Sequence, residues 1–191
     1  MTIPHRLLDE DGRDLSGAFF RLLQVDQDTY LAALLLIDAR GEPLEFTYNR
    51  AEVKHRLLWR ERDLRHAVTR ELLASLLETC PRQPSALFFL AREVPSELFV
   101  EDIDIERPVA RIATAAEVIG TAAIEEHERI DGSQAVQVFW VRGRPTDATP
   151  AHRLVERLAG RGLLLEPFKR ALAGLREAYD LAPPQAEDES A

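Results

Sequence analysis

The spacing of apolar residues changes near Asn49, and this change constrains the fold more than any other feature of the chain. Just before Asn49, apolar residues alternate with polar ones, as a half-buried strand requires. Between residues 51 and 79 they recur about every fourth position, as one face of a helix requires. The alternating set is Leu44, Phe46 and Tyr48, and the helical set is Leu57, Leu64, Val68, Leu72 and Leu76. The change predicts strands packed against one long helix in a mixed α/β protein.

Apolar runs elsewhere predict the remaining elements. Residues 17–25 and 29–37 read as two strands that form a hairpin, and residues 44–48 complete an antiparallel three-stranded meander. Residues 86–90 follow the long helix as a fully apolar run of the buried-strand type. The dipeptide Asp131-Gly132 predicts a second hairpin between residues 124–130 and 135–141, although residues 121–130 also suit a helix. Residues 151–160 and 167–179 predict two C-terminal helices.

Composition divides the chain into five predicted segments. Residues 1–16 form an N-terminal extension, and residues 17–92 form the subdomain of meander, helix and strand. An acidic connector with two prolines, residues 93–108, leads to a subdomain of hairpin and two helices over residues 109–181. Residues 182–191 are expected to be a disordered acidic tail.

Cysteine usage and hydropathy predict a cytoplasmic protein. The 191 residues are 46% apolar and 30% charged, which is typical of a globular chain. The longest apolar run, residues 31–37, is far shorter than the roughly 20 residues needed to cross a bilayer. The start of the chain has no apolar signal core. Cys80 is the single cysteine and cannot form an internal disulfide, which suits a reducing compartment. We therefore expect no membrane contact.

Five arginines near the C-terminus are the candidate binding residues. Arg142 and Arg144 belong to an Arg-Gly-Arg-Pro sequence that resembles the core of an AT-hook, a reader of the DNA minor groove. A plain turn is the favoured interpretation of this sequence. The other three, at successive four-residue steps, are Arg153, Arg157 and Arg161. They share one face of the predicted helix and predict either a contact surface or a solvated face. Because the net charge is −9, we expect a protein partner, and only weak binding of nucleic acid.

The element order over residues 17–91 resembles the opening of the ribonuclease H-like fold, with endonuclease V as a similar family. In that family, a carboxylate at the end of the first strand, a Glu on the next helix and an Asp after the fourth strand hold divalent metal for phosphodiester hydrolysis. The resemblance implies Asp26, Glu61 and Glu93 as the matching positions. The chain departs from the family where the fourth strand ends, because Ala91-Arg92-Glu93 stands in place of its Asp-Gly.

The common motifs of cofactor and nucleophile chemistry are missing from the sequence. His127 shares a strand face only with Glu125 in the run from 125 to 128, and His55 and His66 are three helical turns apart. We therefore expect no metal and no cofactor. The sequence favours a non-enzymatic binding or scaffold protein, a subunit of a larger cytosolic assembly, and leaves its oligomeric state open. The alternative is a metal-dependent nuclease, and convergence of Asp26, Glu61 and Glu93 would distinguish the two.

Overall fold

The described strands form one seven-stranded mixed sheet. The computed structural model describes residues 15–101, 103, 105–131 and 134–182. Most of the predicted tail and most of the predicted N-terminal extension therefore lie outside the described residues. The strands are β1 (Ser16–Gln24), β2 (Thr29–Asp38), β3 (Pro43–Glu52), β4 (Ala86–Leu90), β5 (Val109–Thr114), β6 (Glu125–Ile130) and β7 (Val136–Val141). Their order across the sheet is β3-β2-β1-β4-β5-β7-β6. The mixed α+β fold predicted from the sequence is confirmed.

The strands at the centre of the sheet are parallel, so their carboxyl ends lie together on one side of the sheet and their amino ends on the opposite side. β1 pairs with β4 and β4 with β5 in parallel, so all three end at the same edge, which we call the carboxyl edge. β2 and β3 are antiparallel neighbours, which places the end of β3 at the carboxyl edge as well. The opposite edge, where β1 begins and the turn between β2 and β3 lies, is the amino edge.

Four helices accompany the sheet: α1 (Glu61–Thr79), α2 (Leu98–Glu101), α3 (Pro150–Gly160) and α4 (Glu166–Ala178). The side chains of α1 pack with one sheet face, including Phe20 and Phe89. Those of α3 and α4 pack with the other face, where Phe168 meets Phe19 with ring centroids 5.1 Å apart. Burial on both faces explains why β1, β2 and β4 are almost continuously apolar. Within the described residues, no helix is long and apolar enough to span a membrane.

Two glycines allow close approach at the amino edge. A Cβ on Gly17 would lie 2.7 Å from the Phe88 ring and 3.2 Å from Leu154 of α3, so a side chain there would displace a packed neighbour. Gly41, in the turn between β2 and β3, has φ of +89°, and a Cβ there would lie 2.6 Å from Leu163. These contacts tie both ends of the segment that carries α3 to the amino edge.

The structure corrects the predicted start of the long helix. Residues 51 and 52 still belong to β3, because Ala51 and Glu52 continue the ladder opposite Tyr30 and Thr29. A short 3-10 turn, Arg56–Leu58, follows before α1 begins at Glu61. The apolar period of the sequence could not separate these pieces, because Leu57 falls in register with the α1 stripe yet is fully exposed.

Candidate site at the carboxyl edge

A buried ion pair lies where β1 and β4 end. Arg21 is near the end of β1. Glu93 lies in the turn after β4, where its own N–H donates to the Leu90 carbonyl. The Arg21 Nη2 and Glu93 Oε1 atoms are 3.0 Å apart, and the two side chains are 10% and 12% exposed. Arg21 Nε and Glu93 Oε2 are also buried and have no hydrogen-bond partner among the described residues. Both atoms are inaccessible to solvent, so the pair is enclosed at the ends of β1 and β4.

Burial dominates the electrostatics of this pair. It raises the pKa of Glu93, and the nearby Arg21, Arg92 and Arg65 guanidinium groups offset only part of that effect. Burial also lowers the pKa of Arg21, although an arginine stays protonated at neutral pH. The attraction between the two charges thus compensates incompletely for their loss of water.

Three further arginines surround the pair. Arg65 on α1 donates from Nη2 to the Glu93 carbonyl at 3.3 Å. The Arg92 Nη1 atom lies 3.6 Å from the Glu117 Oε1 atom, and the Arg92 side chain is 40% exposed. Arg176 near the end of α4 is close enough to oppose the charge of Arg21. We call Arg21, Arg65, Arg92 and Arg176 the arginine cluster. Arg21, Arg65 and Arg92 act on Glu93, and Arg176 acts on Arg21. Because the cluster's four positive charges exceed the two carboxylates paired with it, Glu93 and Glu117, this part of the edge favours an anion.

An exposed apolar segment lies at the same edge, between the end of β3 and the start of α1. Leu57 is fully exposed, Leu58 is 84% exposed and Trp59 is 47% exposed. The preceding Arg56 anchors the segment, since its guanidinium donates to the Gln27 carbonyl and to the Glu61 carboxylate. A groove of about 890 Å³ is lined by Trp59 and by further apolar side chains that include Val53, Leu64 and Ile105. Charged side chains line it as well: Glu52, Lys54, Arg70, Glu71 and Glu78. The edge therefore offers both positive charge and apolar surface.

The three carboxylates implied by the family resemblance do not form a metal site. Asp26 lies in the turn after β1, where it accepts hydrogen bonds from the N–H groups of Asp28 and Thr29, each 2.8 Å long. The first of these lowers the pKa of Asp26. Glu61 pairs with Arg56 and Glu93 with Arg21. Within the described parts of the chain, no three His, Cys, Asp or Glu side chains are grouped closely enough to hold a metal ion.

The five predicted binding arginines separate into two groups. Arg142 donates from Nη2 to the Phe99 carbonyl, 3.1 Å away. Arg144 lies 3.1 Å from Glu128 through Nε, and its N–H donates to Glu126. Arg153, Arg157 and Arg161 follow the predicted spacing on α3 and at its end. They remain predicted binding residues.

Sequence analysis missed both buried ion pairs. The second joins Arg111 of β5 to Glu125 of β6 at 3.3 Å, with side chains 4% and 0% exposed. In each pair, a single arginine interrupts an apolar strand, at Phe20-Arg21-Leu22 and at Ala110-Arg111-Ile112. A lone charge in such a run is the available signal, because a charge buried there needs a partner.

Comparison of this geometry with known proteins identifies the fold. No protein-family model matches the sequence, and no curated protein matches it. Among solved structures, Endonuclease V from Bacillus subtilis is similar with a TM-score of 0.56 at 13% identity, over 87% of this chain and 80% of that one. Endonuclease V from Ciona intestinalis, in complex with a 24mer DNA containing an inosine followed by a ribo-adenosine, has a TM-score of 0.55 at 11% identity, covering 87% and 86%. The catalytic domain of human Endonuclease V is similar with a TM-score of 0.50 at 16% identity, over 86% of this chain and 82% of that one.

These similarities correct our functional expectation. The predicted non-enzymatic binding or scaffold protein, with a role in protein–protein interaction within a larger complex, is contradicted, because the similar structures are endonucleases. The alternative that we kept, a metal-dependent nuclease on a ribonuclease H-like sheet, fits them better. At these identities the likeness establishes the fold, and the ungrouped carboxylates are a departure from the metal centre implied by the family resemblance.

Proposed function

We propose that this chain processes nucleic acid and holds a single strand at the carboxyl edge of its sheet. The observation that carries the proposal is the arginine cluster around Glu93. Ligands of open α/β sheets bind outside the carboxyl ends of the strands, and guanidinium groups bind phosphate oxygens in two-point contacts. The Endonuclease V of Ciona intestinalis, which has the same fold, is in complex with DNA.

The exposed apolar segment supports a single strand as the substrate. Unpaired bases stack on aromatic side chains regardless of sequence, and a partly exposed Trp59 just before α1 offers such a surface at the same edge of the sheet. The groove lined by Trp59 also contains apolar side chains, among them Val53 and Leu64, on which further unpaired bases could pack. A duplex keeps its bases stacked inside and would leave this surface unused. We therefore expect single strands to bind more tightly than duplexes of the same length.

The arginine cluster defines how the strand is held. A phosphate at this edge would be bound by fixed guanidinium groups, and the described residues do not fit a metal centre that would bind it through divalent ions. Arg92, which is 40% exposed and pairs with Glu117 at the long distance of 3.6 Å, is the member best placed to turn toward a strand. Arg21 would hold its position through Glu93.

Binding of a fluorescent 12-nucleotide single strand, followed by anisotropy, tests the proposal. Trp59→Ala should weaken binding by about 5- to 150-fold, since stacking of one base contributes about 1–3 kcal/mol. Arg92→Gln should also weaken it and should reduce the slope of log K against log salt by about 0.7. Arg129→Gln is the matched control, because Arg129 already pairs with Asp131 at 2.8 Å and should bind as wild type does.

Gel electrophoresis of the same strands after incubation, with and without Mg²⁺ or Mn²⁺, tests the processing step. Shortened strands are the expected result, and strands that stay intact under all conditions would contradict it. Failure of the wild-type protein to bind single strands at low salt would overturn the proposal. Equal losses for Arg92→Gln and Arg129→Gln would do so too, because they would indicate a response to net charge alone.

A further inference from the structure

The side chains of three arginines on α3 and at its C-cap have no ion-pair or hydrogen-bond partner among the described residues: Arg153, Arg157 and Arg161. Arg153 and Arg161 are exposed and Arg157 is partly exposed. Neighbouring arginines differ in this respect, since Arg144 pairs with Glu128 and Arg170 with Glu166. We call the three the α3 ridge. Its charge is directed to solvent and is not compensated within the described parts of the fold.

Helix geometry places the ridge on one flank of α3. Four residues advance a helix by about 6 Å and slightly more than one turn, so the three guanidinium groups follow each other along one line. Leu154 and Leu158 fix the buried stripe of α3. Glu156, the one carboxylate within α3, is three residues from Arg153 and therefore borders the ridge. It pairs with His152, whose Nε2 atom lies 3.7 Å from its Oε1 atom. Among the described residues, no ion pair joins it to the ridge.

The ridge lies at the edge of the sheet opposite the arginine cluster. α3 follows β7, whose last residue, Val141, pairs with the first residue of β5 at the amino edge. Beyond its other end, Leu163 contacts Gly41 in the turn between β2 and β3, again at the amino edge. β1 has nine residues, so at about 3.3 Å per residue roughly 30 Å separates the two edges. One short strand cannot contact both surfaces.

We infer that the α3 ridge is a second contact surface for nucleic acid and binds the sugar-phosphate backbone of a strand that also occupies the carboxyl edge. The inference rests on the proposed function. Evenly spaced arginines match a polymer with a regularly repeated negative charge, and such contacts fix position without reading sequence. A strand that keeps its bases stacked advances about 3.4 Å per nucleotide, so it needs roughly nine nucleotides to reach both edges.

Anisotropy with single strands of 6 and 24 nucleotides tests this inference. The triple variant Arg153→Gln/Arg157→Gln/Arg161→Gln should bind the 6-mer as wild type does. For the 24-mer, each lost contact should reduce the salt slope by about 0.7, or roughly 2 in all, which lowers affinity by up to about a hundredfold at 0.1 M salt. Arg157→Gln and Arg129→Gln, compared as single variants, separate the ridge from net charge. These arginines are at the surface, and thermal unfolding should confirm that the variants fold.

Each other outcome contradicts a particular statement. If the triple variant binds the 24-mer as wild type does, the ridge is not a contact surface, while the proposed function stands. If the triple variant loses the 6-mer and the 24-mer equally, the ridge is the main site, and both the second-surface inference and the carboxyl-edge proposal are wrong. If wild type binds neither strand, the proposed function fails and the inference fails with it.

Discussion

Removing Arg21 should destabilise the protein strongly, because Glu93 would lose its ion-pair partner while staying buried. The two side chains are 10% and 12% exposed, so solvent screens their charges little. Truncating one member of a buried ion pair typically costs about 3–5 kcal/mol. We expect a loss in this range for Arg21→Leu, whose side chain suits the apolar neighbours Ala33 and Leu23 on this sheet. A domain stabilised by about 5–15 kcal/mol would remain folded, with a lower urea midpoint.

Neutralising Glu93 in the same chain should recover much of that loss. In Arg21→Leu/Glu93→Gln, no unpaired charge is left in the buried position, and hydrophobic replacement of a buried pair is often close to neutral. The double variant should therefore be more stable than the sum of the two single losses implies, by roughly 2 kcal/mol.

The loss for Arg21→Leu should also depend on pH. Burial raises the pKa of Glu93 above its unfolded value, so Glu93 stabilises the folded state fully below the unfolded pKa, and this contribution is lost as pH rises through the folded pKa. Arg21 lowers the pKa of Glu93, and its removal moves the folded pKa still higher. Urea unfolding at pH 5 and pH 8 should therefore give a smaller loss at pH 5. A loss that is under 1 kcal/mol, or the same at both pH values, would refute the buried-pair account.

Two further predictions concern the turn between β2 and β3 and the nature of the site. Gly41→Ala should lower the free energy of unfolding by about 1–2 kcal/mol, measured by thermal unfolding, because φ is +89° and the added Cβ meets Leu163. Gly160→Ala is the control and should not be destabilised, because its added Cβ meets nothing within 4 Å. Mg²⁺ should weaken strand binding at every concentration, because it competes with arginine for phosphate; an optimum at millimolar Mg²⁺ would instead indicate a bridging metal.

Much of the fold could be predicted because the local signals and the tertiary packing agree. The meander, the strand Ala86–Leu90, the second hairpin and the two C-terminal helices all form as the apolar spacing predicts. β5 was missed because Arg111 breaks the apolar pattern of Val109–Thr114, and only the buried contact with Glu125 makes that charge acceptable within a strand.

The candidate site was harder to predict because it depends on register between distant segments. Parallel pairing of Phe20 with Phe89 brings Arg21 beside Glu93, which are 72 residues apart in the chain. In the sequence, Glu93 was a candidate only as a metal ligand, because nothing in its own segment indicates that Arg21 of β1 pairs with it. Trp59 was assigned to the long helix, and its exposure follows from the late start of α1 at Glu61.

The most direct test of the central claim is photo-crosslinking of a bromouridine-substituted 12-nucleotide single strand, with crosslinked peptides identified by mass spectrometry. A strand held at the carboxyl edge should crosslink to Trp59 and to the peptide that contains Arg92 and Glu93, and Trp59→Ala should remove the first crosslink. Such a strand is long enough to touch the α3 ridge as well, so additional crosslinks there are compatible with the account. Crosslinks that map only to the ridge, or that persist unchanged in Trp59→Ala, would contradict it.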